Sequence, residues 1–297
     1  MRRNENGEKI FKKYMKMDKL DVLIKIALQE DGAFNDVTSK NFAPENKKAK
    51  AVVIANGDGV LAGGDVFVKV FKTLDGSCKA AIKKKDGETL QKGDEILEIT
   101  GPARTILSGE RTALNFLQYM SGIATLTDGF VKAVAGGKAK IYDTRKILSG
   151  YRELAKYAVK CGGGSNHRMG LSDMALIKDN HLKLIKDLTF AVSEFREKYK
   201  NIKVEAECEN LSEVKNALAA KADVIMLDNT TFETASGMIS LIRKSSTQDY
   251  KPEIEISGGV NAQTVKEFAK LDIDRISIGM ITHSAPALDV TLEVSID

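Results

Sequence analysis

Six short segments concentrate the side chains that bind anions, hold metal ions or move protons. They are Asp143-Thr144-Arg145-Lys146, Lys178-Asp179-Asn180-His181, Glu207, Asp228-Asn229, Ser257-Gly258-Gly259 and Ser277-Ile278-Gly279, with Gly162-Gly163-Gly164-Ser165-Asn166-His167-Arg168 ahead of the second. Arg145, Lys146, Arg168 and Lys178, brought to one mouth, repel one another unless a polyanion lies between them. Solvated surface charge is the plain alternative for any Lys or Arg. An Arg fork also matches a carboxylate bidentately. Glu205 and Glu207 share one face of a strand by the two-residue period, and Asp228 ends the next strand beside Glu207. Paired carboxylates in a basic site suit ribose hydroxyls or a Mg²⁺-bound polyphosphate, so Glu207 and Asp228 are the candidate metal contacts. A salt bridge from the acidic face to Lys203 or Lys221 is the structural alternative. The late Ser-Gly-Gly and Ser-x-Gly turns let backbone N–H groups approach phosphate. All three histidines, His167, His181 and His283, lie in or beside these segments.

The elements that must position these residues follow from periodicity. Leu20, Leu23, Ile24, Ala27 and Leu28 recur at helical spacing after a charged lead-in, residues 1–17. Residues 49–100 read as a small sheet-rich region: Ala51–Ala55, Val66–Phe71 and Ile96–Ile99 are short apolar runs, with Gly57-Asp58-Gly59, Asp86-Gly87 and Lys92-Gly93-Asp94 as turns. Residues 104–127 carry an apolar stripe on a helix that ends the first domain. Beyond it come brief apolar strands, each followed by a helix-length segment: Lys140–Tyr142, Ala175–Ile177, Val204–Glu207, Val224–Leu227, Ile254–Ile256 and Arg275–Ile278. Repeated βα units predict parallel strands. Polar residues at nearly every strand end favour a barrel somewhat short of eight strands over a doubly wound open sheet, which concentrates its chemistry at one switch point.

Bulk properties exclude other classes. A net charge of +4 spread over 45 basic and 41 acidic side chains does not describe a nucleic-acid binder. There is no apolar run long enough to span a bilayer and no secretory pattern, and Cys78, Cys161 and Cys208 lack metal-type spacing, so a cytoplasmic setting with buried thiols is expected.

The ordered blocks Glu110–Asn115, Met120–Thr125, Asp143–Lys146, Gly162–Leu171, Ile177–His181, Leu227–Asn229 and Thr282–Ser284 resemble those of the quinolinate phosphoribosyltransferases, the carboxylating nicotinate-nucleotide pyrophosphorylases. The resemblance runs from about residue 31 to 289. It implies a mixed α/β sandwich domain over 18–128, completed by the tail 284–297, and an incomplete, about seven-stranded α/β barrel over 129–283. It implies Mg²⁺ and a homodimer in which one subunit's first domain faces the other's barrel, with no nucleic acid or membrane partner. Arg111, Thr144, Arg145, His167, Arg168 and Lys178 would hold quinolinate. Lys146, Asp179, Asn180, His181, Glu207, Asp228, Ser257, Gly258, Gly259, Ser277, Ile278, Gly279 and His283 would hold phosphoribosyl pyrophosphate. Lys178, Glu207 and Asp228 are the expected catalytic groups, Lys178 for the proton that replaces the lost carboxylate. After Lys146 the family usually continues Thr-Thr-Pro-Gly; this chain has Ile147-Leu148-Ser149-Gly150, without the two hydroxyls and the stiffening proline. A molybdenum-transport-associated paralogue and a non-catalytic metabolite-binding protein are the rival readings.

Overall fold

The computed structural model describes residues 17–295. The charged lead-in therefore lies outside the described residues except for Met17, which opens the first helix. In chain order the elements are α1 (Met17–Glu30), α2 (Val37–Phe42), β1 (Lys48–Ala55), β2 (Gly59–Val60), α3 (Gly64–Leu74), β3 (Lys79–Ile82), β4 (Thr89–Leu90), β5 (Glu95–Pro102) and α4 (Ala103–Ala133). There follow β6 (Lys140–Tyr142), α5 (Arg152–Cys161), β7 (Ala175–Ile177), α6 (Leu188–Lys198), β8 (Val204–Cys208) and α7 (Leu211–Ala219). The last are β9 (Val224–Asp228), α8 (Phe232–Ser245), β10 (Glu253–Ser257), β11 (Arg275–Ser277) and β12 (Val290–Ser295), with single helical turns at Asp179–Leu182, Val265–Phe268 and Met280–His283. No described helix is long and apolar enough to cross a membrane.

Two compact units divide the chain. Among the described residues the first comprises 17–128, 147–163 and 281–295. Its sheet is antiparallel in the order β12-β1-β5-β3, so the C-terminal strand pairs with β1. On β1 the period of two puts Ala49, Ala51, Val53 and Ala55 on the buried face. The Val66–Phe71 run, expected as a strand, is the middle of α3. Val66, Phe67, Val70 and Phe71 are buried while Asp65 is exposed and Lys69 half-buried, a repeat of about 3.6 that the short apolar run concealed. Residues 147–163, expected within the barrel span, belong to this first unit. The reason lies in α5: Tyr157 donates its hydroxyl to Asp86 at 2.7 Å, and the same carboxylate accepts the Gly63 and Gly64 amides that open α3.

The block around Gly122 is structural in this unit. Ser121 Oγ accepts from the Ala62 amide, Thr125 Oγ1 accepts from the Val60 amide, and a Cβ built on Gly122 would stand 2.1 Å from the Pro286 carbonyl oxygen. Only hydrogen at that position lets the C-terminal segment cross α4. Gly122→Ala is accordingly expected to destabilise the protein by about 3 kcal/mol or more. Gly237→Ala on α8, where nothing lies within 4 Å, should be neutral or stabilising, and thermal melting of the two variants reads the difference.

The second unit comprises residues 129–146 and 164–280. Its six parallel strands run in the order β6-β11-β10-β9-β8-β7, and a lone parallel bridge joins Tyr142 of β6 to Ser165. Against the expected count of about seven, the described residues form six regular strands, with one isolated bridge beside β6. All six match segments read as strands from the sequence. Laid flat, such a sheet would hold its edges β6 and β7 roughly 24 Å apart. The ends of both line one pocket, so the sheet is rolled into an incomplete barrel.

Candidate active site

A pocket of about 350 Å³ opens at the C-terminal ends of the barrel strands. Every strand contributes: Thr144, Arg145 and Lys146 follow β6, Lys178 follows β7, and Glu207, Asp228, Ser257 and Ser277 stand at or near the ends of β8 to β11. His167 and Arg168 enter from the segment between β6 and β7, and Leu176, Met226 and Glu255 complete the wall. These last three were not singled out from the sequence. The two-residue period would have found them: Met226 lies two before Asp228, Glu255 two before Ser257 and Leu176 two before Lys178.

The four cations differ in exposure and in their partners. Arg145 and Lys146 are exposed, and Arg168 and Lys178 are half-buried. Arg168 donates to the Met174 carbonyl oxygen at 3.0 Å, and burial followed by the nearby Arg145 lowers its pKa. Lys178 forms an ion pair with the buried Glu207 rather than leaving that acid to Lys203 or Lys221; Lys203 pairs with Glu253. Asp228 accepts from the side-chain amide of Asn229 at 2.7 Å.

Asp143 is fully buried and braces the site: it accepts from the His167 amide at 2.9 Å and from the Asn166 side chain at 2.6 Å. Thr144 Oγ1 accepts from the Lys146 amide, which fixes the turn. His167 is buried with Nε2 3.1 Å from Glu205 and 3.4 Å from Glu255, while Nδ1 accepts the Arg168 amide at 2.8 Å. Burial alone would lower the pKa of His167; the two carboxylates outweigh it and push it up to about 9. The carboxylates thus favour a second ring proton and the Arg168 amide opposes it; while Nδ1 accepts that amide the ring carries its proton on Nε2. Burial first and Glu255 second raise the pKa of Glu205.

Other expected site residues have local partners. His181 accepts the Lys178 amide through Nδ1 and caps the turn Asp179–Leu182, in which Asp179 and Asn180 are exposed. Gly258 and Gly259 adopt φ of +80° and +65°. A Cβ on Gly258 would stand 2.3 Å from Asn229, so glycine lets the turns after β9 and β10 meet. Ile278 donates its amide to the Tyr142 carbonyl, and Gly279 follows it half-buried. Arg111 is exposed on α4, and His283, exposed with Nδ1 2.6 Å from Ser284 Oγ, lies with it in the first unit.

Among the described residues, the group compact enough to offer a metal three ligand atoms is His167, Glu205 and Glu255, within 4.8 Å of one another. Glu207 and Asp228 supply hard oxygen donors to the same pocket from adjacent strands. That donor set suits Mg²⁺ shared with a polyphosphate, which would furnish the remaining ligands.

Known proteins agree with this geometry. Residues 36–121 match the family profile described as the quinolinate phosphoribosyl transferase N-terminal domain, and 123–293 the one described as the C-terminal domain. The probable carboxylating nicotinate-nucleotide pyrophosphorylase of Bacillus subtilis is 37% identical over 90% of both chains. Its counterpart from Methanocaldococcus jannaschii is 38% identical over 92% of this chain and 96% of its own. The crystal structure of NadC from Streptococcus pyogenes superposes with a TM-score of 0.88 at 37% identity, covering 95% of this chain and 98% of that one. With both domains matched in order and nearly the whole length covered, the chain belongs to the quinolinate phosphoribosyl transferase family.

Proposed function

We propose that the barrel pocket joins quinolinate to 5-phosphoribosyl-1-pyrophosphate and discards one carboxylate as CO₂. The chain is a carboxylating nicotinate-nucleotide pyrophosphorylase, a pentosyltransferase of NAD synthesis that releases nicotinate mononucleotide and pyrophosphate. The observation that carries the assignment to this pocket is the meeting of Arg145, Lys146, Arg168 and Lys178 with Glu207 and Asp228 around one cavity. Two separate anions and a cationic centre between them answer that charge pattern.

Arg145, Arg168 and Lys178 hold the two quinolinate carboxylates, and Arg111 of the partner subunit adds a further cation in a cytoplasmic homodimer. Lys146 and the turns Ser257–Gly259 and Ser277–Gly279 hold the phosphates. Mg²⁺, when bound, neutralises charge on the pyrophosphate. As the C1–O bond to pyrophosphate breaks, positive charge grows at C1, and Glu207 and Asp228 stabilise it from the pocket wall. The pyridine nitrogen donates its lone pair to C1, which makes the ring cationic. The carboxylate next to that nitrogen then leaves as CO₂, its bonding pair remaining on the ring carbon as a stabilised ylide. Lys178 delivers the proton that carbon takes up.

Following absorbance with phosphoribosyl pyrophosphate and Mg²⁺ tests the reading. Quinolinate should turn over, and nicotinate, with one carboxylate, should be poorer by about a thousandfold in kcat/KM, since an empty carboxylate subsite leaves cations unpaired. Comparable turnover of nicotinate rejects the subsite assignment; absence of any turnover favours a silent binding protein.

A further inference from the structure

Beneath the cation cluster the barrel interior is ionic rather than apolar. Glu205 on β8 and Glu255 on β10 are both fully buried, with β9 between them in the sheet. Arg275 pairs with Glu253, stands 3.8 Å from Glu255 and lies over the Tyr142 ring at 5.0 Å. Ser277 donates to Glu255 at 2.5 Å. The close polar neighbour of Glu205 is Nε2 of His167 at 3.1 Å. Two acids directly under a pocket for a dianion oppose binding by through-space repulsion, so their presence calls for another contribution.

We propose that Glu205 and Glu255 are positioning residues for the quinolinate carboxylate site: they fix the His167 imidazole so that its opposite edge sets the backbone of Arg168. This rests on the assignment of the pocket to quinolinate. The chain of contacts is continuous. Glu205 and Glu255 stand at Nε2, the Arg168 amide is seated on Nδ1, Asp143 holds the His167 amide, and the Arg168 guanidinium is tied to the Met174 carbonyl. Turning the imidazole withdraws the acceptor on which the Arg168 amide rests. A metal ion coordinated by His167, Glu205 and Glu255 is disfavoured by the same geometry, because a ring that accepts at Nδ1 carries its proton on Nε2 and has no lone pair there to give.

The sign of an isosteric substitution separates positioning from electrostatics. Glu205→Gln removes a negative charge below an anion pocket and keeps the shape. Through-space electrostatics predicts tighter quinolinate binding, and positioning predicts weaker binding. The expected result, from calorimetric titration of the full-length protein with quinolinate, is a dissociation constant raised about tenfold with the KM for phosphoribosyl pyrophosphate within about twofold. Glu255→Asp, which keeps the charge and draws it back from Nε2, should weaken quinolinate in the same direction, and it serves in its own right if the Gln variant does not fold. In an Arg168→Ala background Glu205→Gln should add less than about twofold, because its effect runs through Arg168. Unchanged or tighter binding in either acid variant, or full multiplication of the two effects, overturns the proposal while leaving the pocket assignment intact. If Arg168→Ala itself leaves quinolinate affinity unchanged, the pocket assignment fails and the proposal with it.

Discussion

Glu207→Gln is expected to lower kcat by about two to three orders of magnitude while leaving the protein folded. Glu207 is buried on β8, faces the pocket beside Asp228 of the neighbouring strand and carries Lys178 as its ion-pair partner. A carboxylate at that place matters most when positive charge has developed at C1, so its loss falls on the transition state more than on the bound substrate. The amide is isosteric, and Lys178 is partly exposed, so losing the pair costs little stability. Removing the partner also frees a cation next to the carboxylate site, and quinolinate should bind equally or more tightly. The expected signature is a collapsed kcat with a KM for quinolinate that is unchanged or lower and a melting temperature close to that of the parent. Undiminished turnover with a raised quinolinate dissociation constant would remove Glu207 from the chemistry and leave it as a substrate contact.

Much of this arrangement is legible in residue order because strands impose a period of two. Glu205, Glu207, Asp228, Ser257 and Ser277 could be aligned at strand ends before any coordinates, and each of the five stands on the barrel's polar interior or at its mouth. What periodicity does not carry is the partner of a charged group. Lys178 follows β7, twenty-nine residues before Glu207, and the parallel pairing of β7 with β8, with Ile177 opposite Ala206, makes it a nearer partner than Lys203. The burial of Glu205 beneath His167 is hidden for the same reason, since the contact spans loop, β8 and β10.

Shorter-range errors have local causes. In Val66–Phe71 five apolar residues and one lysine fit a strand as well as a helix, and the tie is broken by Asp86, whose carboxylate accepts the first amides of α3 from a turn twenty-two residues away. The placing of residues 147–163 in the first unit depends on that same carboxylate through Tyr157. One acid thus organises two helices, and neither consequence can be read from its position in the chain. The block Met120–Thr125 was legible as a family signature yet not as to purpose: its hydroxyls serve backbone groups of residues 60 and 62, and its glycine clears the Pro286 carbonyl.

Arg111 poses the remaining question of placement, for it is exposed on α4 in the first unit whereas the cations it is expected to join belong to the second. In a two-fold homodimer with shared sites, a residue that completes the partner's pocket does so in both directions. Arg111→Ala and Lys178→Ala should each be inactive alone. Unfolded together and refolded at equal ratio, they associate at random, and about half of the dimers are mixed. In each mixed dimer the barrel of the Arg111→Ala chain keeps Lys178 and receives an intact Arg111 from the other subunit, while the second site carries both lesions. Activity should therefore return to about a quarter of that of the parent. If Arg111 instead served the barrel of its own chain, every site in every pairing would lack one of the two side chains. Recovery no higher than that of the single variants, with mixed dimers demonstrated by a mass tag on one partner, would reject the shared site and leave Arg111 acting in cis.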